Sequence, residues 1–270
     1  MTKLPHPPLV IKIGGVALED QATAPRVWEA IAQLHRTRAG GVVLVHGGGK
    51  AVDRHLERLG FTTERRDGIR ITPADQVEEI AAVLAGRVNK SVVGQLGSFG
   101  IKAVGLCLGD GRAFRTVKTK RYTFDAGRVG DVSSPVGDDG ELLRVLLASH
   151  YLPVLSSIGI DDVGFLNVNA DDAAAAVART LGAKALVLLT DVPGILDGKK
   201  ELVREITPLE IEVMIQSGHI SGGMIVKARA AAATAAQTGV PVLILSGNDP
   251  SALGDWAAGR AVGTRIVATR

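Results

Sequence analysis

Three glycine-rich turns, each at the end of an apolar run, mark where this 270-residue chain could handle phosphate: KIGG (12–15), VHGGGK (45–50) and SSIGI (156–160). Glycine permits positive φ and puts no Cβ between backbone N–H groups and an anion. Beyond the carboxyl ends of strands in an open α/β sheet, helix N-termini also favour negative charge. One such turn is a weak signal, since many strand-to-helix connections use glycine for geometry alone. The familiar nucleotide templates do not match. A P-loop requires a glycine five residues before its Gly-Lys pair and a Ser or Thr after it. Leu44 and Ala51 occupy those places, so no hydroxyl is available for Mg²⁺. The dinucleotide pattern G-x-G-x-x-G fails as well, because the residues after Gly47 and Gly49 do not complete it. Lys50 therefore reads as a solvated helix residue.

Composition narrows the class. Apolar residues make up 46% of the chain, yet no run approaches the roughly 18–20 residues of a membrane span. The N-terminal segment lacks the long uncharged core of a signal peptide, so a cytoplasmic protein without membrane contact is expected. The single Cys107 has no partner for an intrachain disulfide and reads as a small buried hydrophobe. A net charge of +3, from 31 basic against 28 acidic residues, is too small and scattered for a nucleic-acid footprint. Aromatics at 3% leave little for base stacking. The six histidines lack zinc-like spacing, and no structural metal is expected.

Short β-rich runs alternate with helical patterns almost from end to end. LVIKI (9–13), GVVLVH (41–46), IKAVGLCL (101–108), LPVLSSI (152–158), ALVLLT (185–190) and VPVLIL (240–245) read as buried strands, with a last strand near 263–267. IKAVGLCL is expected to be central. Helical patterns cover 20–39, 49–59, 72–86, 138–149, 169–183, 207–217, 223–238 and 250–258. Thr72 is expected to cap the third of these, with Pro73 at its first position. The polar segment 110–135 suits hairpins. This alternation predicts an α/β fold, a three-layer αβα sandwich around a mainly parallel central sheet. A division into lobes is expected near residue 183 within one continuous sheet, giving 1–183 and 184–270.

Several distant pieces agree on a family. KIGG, VHGGGKAVD, RDGIRITPAD (66–75), LGDG (108–111), GRVGDV (127–132), NVNADDAAAAVA (167–178), LLTDVPGIL (188–196) and SGGMIVK (221–227) occur in the order of the amino-acid kinase family. The chain resembles that family from roughly residue 9 to 266. The GIRIT and NVNAD pieces point to the branch that moves the γ-phosphoryl of ATP onto the side-chain carboxylate of N-acetyl-L-glutamate, in arginine biosynthesis.

The resemblance implies residue roles. Lys12 and Lys227 would stabilise charge on the transferring phosphoryl, and Asp171 would orient both lysines. Arg70 would grip the substrate's α-carboxylate, a task that suits a planar guanidinium. Asn167 would contact the acyl amino acid with support from Asn169. Gly48 and Gly49 would lie near the acyl substrate and the transferring group, with Gly14, Gly15 and Gly47 as phosphate-binding backbone. Asp191, Val192, Pro193, Gly194, Ile195 and Leu196 would carry the adenosine end of ATP, with Ile220 and Ser221 in a second contacting loop. Mg²⁺ is expected from the chemistry, although no DxD-like pair of ligands is present.

In these terms 1–183 would be the acyl-amino-acid-binding and dimerisation lobe, and 184–270 the ATP-binding lobe. Segments 112–126 and 246–262 carry no mapped signature, and the first is a candidate for shaping a substrate lid. Arginine-inhibited members carry an extra N-terminal helix for which this chain has no room, so an unregulated homodimer is expected. Two rival readings are a kinase of carrier-protein-linked aminoadipate in lysine biosynthesis and a non-catalytic amino-acid or nucleotide sensor. The lack of a basic cluster around GIRIT disfavours the first, and the presence of Lys12, Lys227 and Asp171 disfavours the second. A nicotinamide dehydrogenase fails with the missing dinucleotide pattern.

Overall fold

The computed structural model describes residues 2–15, 18, 24–133, 140–220, 223–249 and 251–267. In chain order its elements begin with β1 (Leu9–Ile13), α1 (Ala24–Thr37), β2 (Val42–His46) and α2 (Gly49–Arg58). The hairpin β3 (Arg65–Arg66) and β4 (Ile69–Arg70) follows, then α3 (Val77–Ala81), a π-helical segment (Ala82–Val88) and α4 (Asn89–Ser98). Next come β5 (Ala103–Leu106), β6 (Thr116–Lys118), β7 (Val129–Val132), α5 (Glu141–Ala148), β8 (Leu152–Ser156), β9 (Ile158–Asp161) and β10 (Gly164–Val168). The remainder is α6 (Ala170–Leu181), β11 (Ala185–Thr190), β12 (Glu205–Ile206), α7 (Pro208–Gln216), α8 (Gly223–Thr238), β13 (Val242–Ser246), α9 (Ala252–Ala257) and β14 (Thr264–Ile266). The α/β class expected from the alternating pattern holds, with mainly parallel strand pairing.

The chain divides into two compact units. One comprises residues 1–4 and 43–176, the other 5–42 and 177–270. This differs from a single cut near residue 183, for a reason visible in the pairing. β1 runs parallel to β11, Leu9 opposite Ala185 and Lys12 opposite Leu188, so the first strand and helix group with the C-terminal part.

In the first unit β2, β8 and β5 are parallel neighbours in that order. β5 stands at the end of the order, not in the centre as its apolar run suggested, and its residues are half-buried where those of β8 are buried. A second sheet, β6-β7-β10-β9, contains the hairpin structure expected for 110–135. Val52 and Leu56 of α2 pack with Ile80, Leu84 and Ile158 into a fully apolar cluster. Removing such side chains from water supplies about 1.5–3 kcal/mol each, which fixes the glycine turn ahead of α2.

Thr72 does not cap a helix. It is buried, its hydroxyl donates to the Arg70 carbonyl at 3.2 Å, and it bridges to Gly127. The helix starts at Val77, four residues after Pro73, and continues past residue 86 through the π segment to Ser98. Extended pairing with Gly127 competes for the same backbone and wins.

In the second unit the order is β12-β14-β13-β11-β1, parallel except for β13 against β14. Strands β1, β11 and β13 are buried almost throughout, as expected of parallel strands covered by helices. Thr207 and Glu210 form a capping box at the start of α7. Arg38, just after α1, stacks over Trp256 of α9 at 5.0 Å.

Candidate active site

The first unit carries a pocket of about 180 Å³. Its floor is the turn between β2 and α2. Gly48 takes φ 149°, and a Cβ there would stand 3.0 Å from Leu84 Cδ2 and 3.3 Å from Val88 Cγ2. Only glycine allows both the backbone angle and the close packing of the π segment. At Gly47 a Cβ would meet the Ala170 Cβ at 3.3 Å, so the turn lies against the start of α6. Gly49 is different: the nearest atom to an added Cβ is Arg65 Nη2 at 3.9 Å. The space above Gly49 is open to a ligand.

Arg70 is 8% exposed and lines this pocket. Its guanidinium donates to Thr63 Oγ1 and to the Gly49 carbonyl, both at 3.1 Å, and pairs with Asp53 at 2.7 Å. Burial pulls its pKa below the usual arginine value, while the bond to Asp53 opposes that shift. Asp53 also pairs with Arg65 at 2.8 Å, so two arginines share one carboxylate. The resulting positive balance suits a ligand that carries carboxylates. Asn167, on β10, donates from its amide to Thr72 Oγ1 at 3.0 Å. Arg70, Thr72 and Asn167 are thereby linked, and each contributes to or supports the pocket wall.

Asn169 has a structural task as well. Its side-chain oxygen accepts from the N–H groups of Asp171 at 2.8 Å and Asp172 at 3.3 Å, capping α6. Asp171 consequently sits in the first turn of a capped helix. Its neighbour Asp172 pairs with Arg121 at 2.6 Å, and Arg121 also pairs with Asp131.

Sequence reasoning missed several lining residues: Arg65, Arg121, Tyr122 and Ser157. Arg121 and Tyr122 belong to the segment without a family signature. Tyr122 stacks on Phe124 at 5.3 Å, and the Phe124 ring receives Arg66 at 4.6 Å. The alternation of basic and aromatic residues in KRYTFD was the available signal, in a chain poor in aromatics.

The second unit gathers the lysines. Lys12 Nζ would lie 3.2 Å from a Cβ at Gly14, so the ammonium lies close over the Gly14 backbone. Gly15 follows with φ 49° and open space around it. Lys227, in the first turns of α8, forms an ion pair with Asp191 at the end of β11. That bond is the main reason the Asp191 carboxyl titrates below its usual range, and the charges of Lys227 and Lys12 add to it. Asp191 thus marks one locality shared by both cations.

The loop after β11 is tightly built. Val192 and Thr190 exchange hydrogen bonds at 3.2 Å through the threonine hydroxyl. Gly194 has φ 146°, and a Cβ there would lie 2.5 Å from Thr264 Oγ1, which itself accepts from the Ile195 N–H at 2.8 Å. Pro193 and Leu196 complete the turn, with Leu196 bridged to Leu202. Ile195 and Ile220 are buried and serve the core; the Ile195 N–H is taken by Thr264 Oγ1, and the Ile220 N–H donates to the Met214 carbonyl at 3.0 Å. Ser221 lies outside the described residues. Among the described residues no three His, Cys, Asp or Glu side chains gather as a metal site, and no helix is long and apolar enough to cross a membrane.

Residues 7–246 match the model of the amino acid kinase family. The chain is 42% identical over 264 residues to an acetylglutamate kinase of Proteus mirabilis (strain HI4320), covering 97% of this chain and 99% of that protein. Among solved structures it resembles N-acetylglutamate synthase from Neisseria gonorrhoeae complexed with coenzyme A and N-acetyl-glutamate, with TM-score 0.79, 24% identity, and coverage of 98% and 60% of the two chains. It also resembles carbamate kinase from Giardia lamblia bound to AMP-PNP, with TM-score 0.67, 17% identity, and coverage of 98% and 99%. With the family model spanning most of its length and a relative 42% identical across nearly all of both chains, the chain belongs to the amino acid kinase family.

Proposed function

We propose that this protein is a kinase that transfers the γ-phosphoryl of ATP to the side-chain carboxylate of N-acetyl-L-glutamate, the second step of arginine biosynthesis. The observation that carries the reading is 42% identity to an acetylglutamate kinase across nearly the whole of both chains. The pocket chemistry supports it. A buried arginine, an amide at Asn167 and a glycine floor suit a small N-acylated dicarboxylate.

The acceptor carboxylate is ionised at neutral pH, with a reference pKa of about 4.3, so the reaction needs no general base. One carboxylate oxygen attacks the γ-phosphorus, the bond to the β-phosphate oxygen breaks, and ADP leaves. The barrier is repulsion between anions, and catalysis is positioning plus preorganised positive charge. Lys12 and Lys227 supply that charge, Asp191 and Asp171 hold and orient the ammonium groups, and Arg70 with Asn167 fixes the acceptor. Gly14, Gly15, Gly47, Gly48 and Gly49 present backbone to the phosphates and the acyl group. The loop Asp191 to Leu196 and the segment at Ile220 and Ser221 receive the nucleotide. Mg²⁺ would neutralise phosphate charge, and with no cluster of protein ligands among the described residues it would be held chiefly by nucleotide oxygens and water. A homodimer belongs to the same proposal, and mass in solution checks it.

Hydroxylamine trapping tests the activity, because it converts acyl phosphates to coloured hydroxamates. With ATP and Mg²⁺, N-acetylglutamate should give signal where glutamate, aspartate and aminoadipate do not. ATP binding without signal from any free acid would overturn the reading. Gly49→Ala tests the glycine floor. The fold has room for the methyl group, so loss of turnover in a folded variant is expected and full turnover would remove Gly49 from the site.

A further inference from the structure

Directly behind the glycine turn lies a polar network that the reaction as described does not use. His46 and Asn89 are both completely buried. The Asn89 amide nitrogen lies 3.0 Å from the Val154 carbonyl and 3.0 Å from His46 Nε2. An amide nitrogen only donates, so Nε2 must accept and the ring proton sits on Nδ1. Nδ1 in turn lies 2.8 Å from the Gly47 carbonyl and donates to it. Asn89 is itself held in place. Its oxygen accepts from Lys90 Nζ at 3.1 Å, and a Cβ at Gly105 would collide with that oxygen at 1.9 Å. Asn89 follows the π-helical segment, whose Leu84 and Val88 pack on Gly48. Such segments are uncommon and concentrate at functional sites.

This arrangement has a geometric consequence. In a trans peptide the C=O and the following N–H point in opposite directions. Anchoring the Gly47 carbonyl on the imidazole therefore aims the Gly48 N–H away from His46. We propose that His46 is a positioning residue for phosphoryl transfer, holding the Gly47 carbonyl so that the Gly48 N–H faces the charge that develops on the transferring group, while Asn89 fixes the ring tautomer. The inference rests on the assignment of Gly48 and Gly49 to the reacting groups. Burial keeps the imidazole neutral, with its pKa lowered to about 4, so the donor and acceptor assignment persists at working pH.

Two substitutions separate positioning from packing. His46→Asn keeps a donor near the place of Nδ1, whereas His46→Leu fills the space without one. His46→Leu should lower kcat roughly 10- to 100-fold, somewhat less than outright loss of an oxyanion donor, with KM for MgATP changed by less than about 3-fold. His46→Asn should restore kcat to within about 5-fold of the wild type. Equal losses in both variants, no loss in either, or a change confined to KM would overturn the proposal. The ¹⁵N resonances of the wild-type ring give an answer that does not depend on the folding of a variant. At pH 7 they should report a neutral ring protonated on Nδ1, and an imidazolium or a proton on Nε2 would overturn it. Gly49→Ala run in parallel distinguishes the failures. Full turnover there removes the glycine turn from the reaction, whereas its loss beside an unaffected His46→Leu sinks only the role of His46.

Discussion

Two lysines, Lys12 and Lys227, share one acidic neighbour, Asp191, and in the proposed mechanism they are its cationic part. If their charges stabilise the transferring phosphoryl, removing one should affect turnover and leave ground-state binding largely intact. Lys227→Ala is expected to lower kcat about 100- to 1,000-fold, or about 2.7–4 kcal/mol, with smaller changes in either KM. Asp171→Asn should likewise lower turnover far more than it weakens substrate binding, and near-normal turnover would remove Asp171 from the mechanism. Arg70 predicts the opposite pattern. Lysine cannot reproduce its bonds to Thr63, Gly49 and Asp53 together with a carboxylate grip. Arg70→Lys should raise KM for N-acetylglutamate more than it lowers kcat, as steady-state kinetics would show. At this scale the motifs made Arg70 and Asn167 legible as residues of the pocket, because each sits in a short recognisable piece. Arg121 and Tyr122 were not, because what brings them to the pocket is the pairing of β6 with β7 and ion pairs to Asp131 and Asp172 across 10 and 51 sequence positions.

The elements hold these residues through a few close backbone approaches. Gly127 has φ 71°, and a Cβ there would lie 2.2 Å from the Thr72 carbonyl oxygen. Gly127→Ala should therefore destabilise the fold by about 1–3 kcal/mol and disturb the Thr72–Asn167 bond. Denaturant unfolding alongside KM for the acyl substrate would read both effects. The His46 network gives a pH dependence. Unfolded, the ring takes a proton near its ordinary 6.5, but the folded protein resists protonation until about pH 4. The unfolded state thus binds more protons in that window, and stability falls as pH drops from 6.5 towards 4, by on the order of 3 kcal/mol at most. Lys90 faces the same ring and opposes its protonation further. The thermal midpoint of the wild type should decline through this range more steeply than that of His46→Asn, and parallel declines would contradict the argument. Buried strands were legible from their continuous apolar runs. The start of α3 was not, because Thr-Pro carries a helix signal and only the distant pairing with Gly127 overrides it. Nor did any local pattern announce the π segment, which packs Leu84 and Val88 against Gly48.

For the molecule as a whole, chain order and compact units do not coincide. Residues 5–42 belong with 177–270 because β1 pairs with β11, a parallel contact that no periodicity in either strand encodes. The class of fold was readable from alternation, while the assignment of the first strand and helix required the register. One unit carries the pocket lined by Arg70 and Asn167, and the other carries Lys12, Lys227 and Asp191. In the proposed reaction the side-chain carboxylate of N-acetyl-L-glutamate is the nucleophile towards ATP. N-acetylglutamate labelled with ¹⁸O in that carboxylate, incubated with the protein and MgATP and followed by ³¹P NMR, tests this directly. An acyl-phosphate resonance bearing the isotope shift of a bridging ¹⁸O, formed in step with ADP, is expected. ADP accompanied only by unlabelled inorganic phosphate, or no phosphorylated product from N-acetylglutamate, would contradict it.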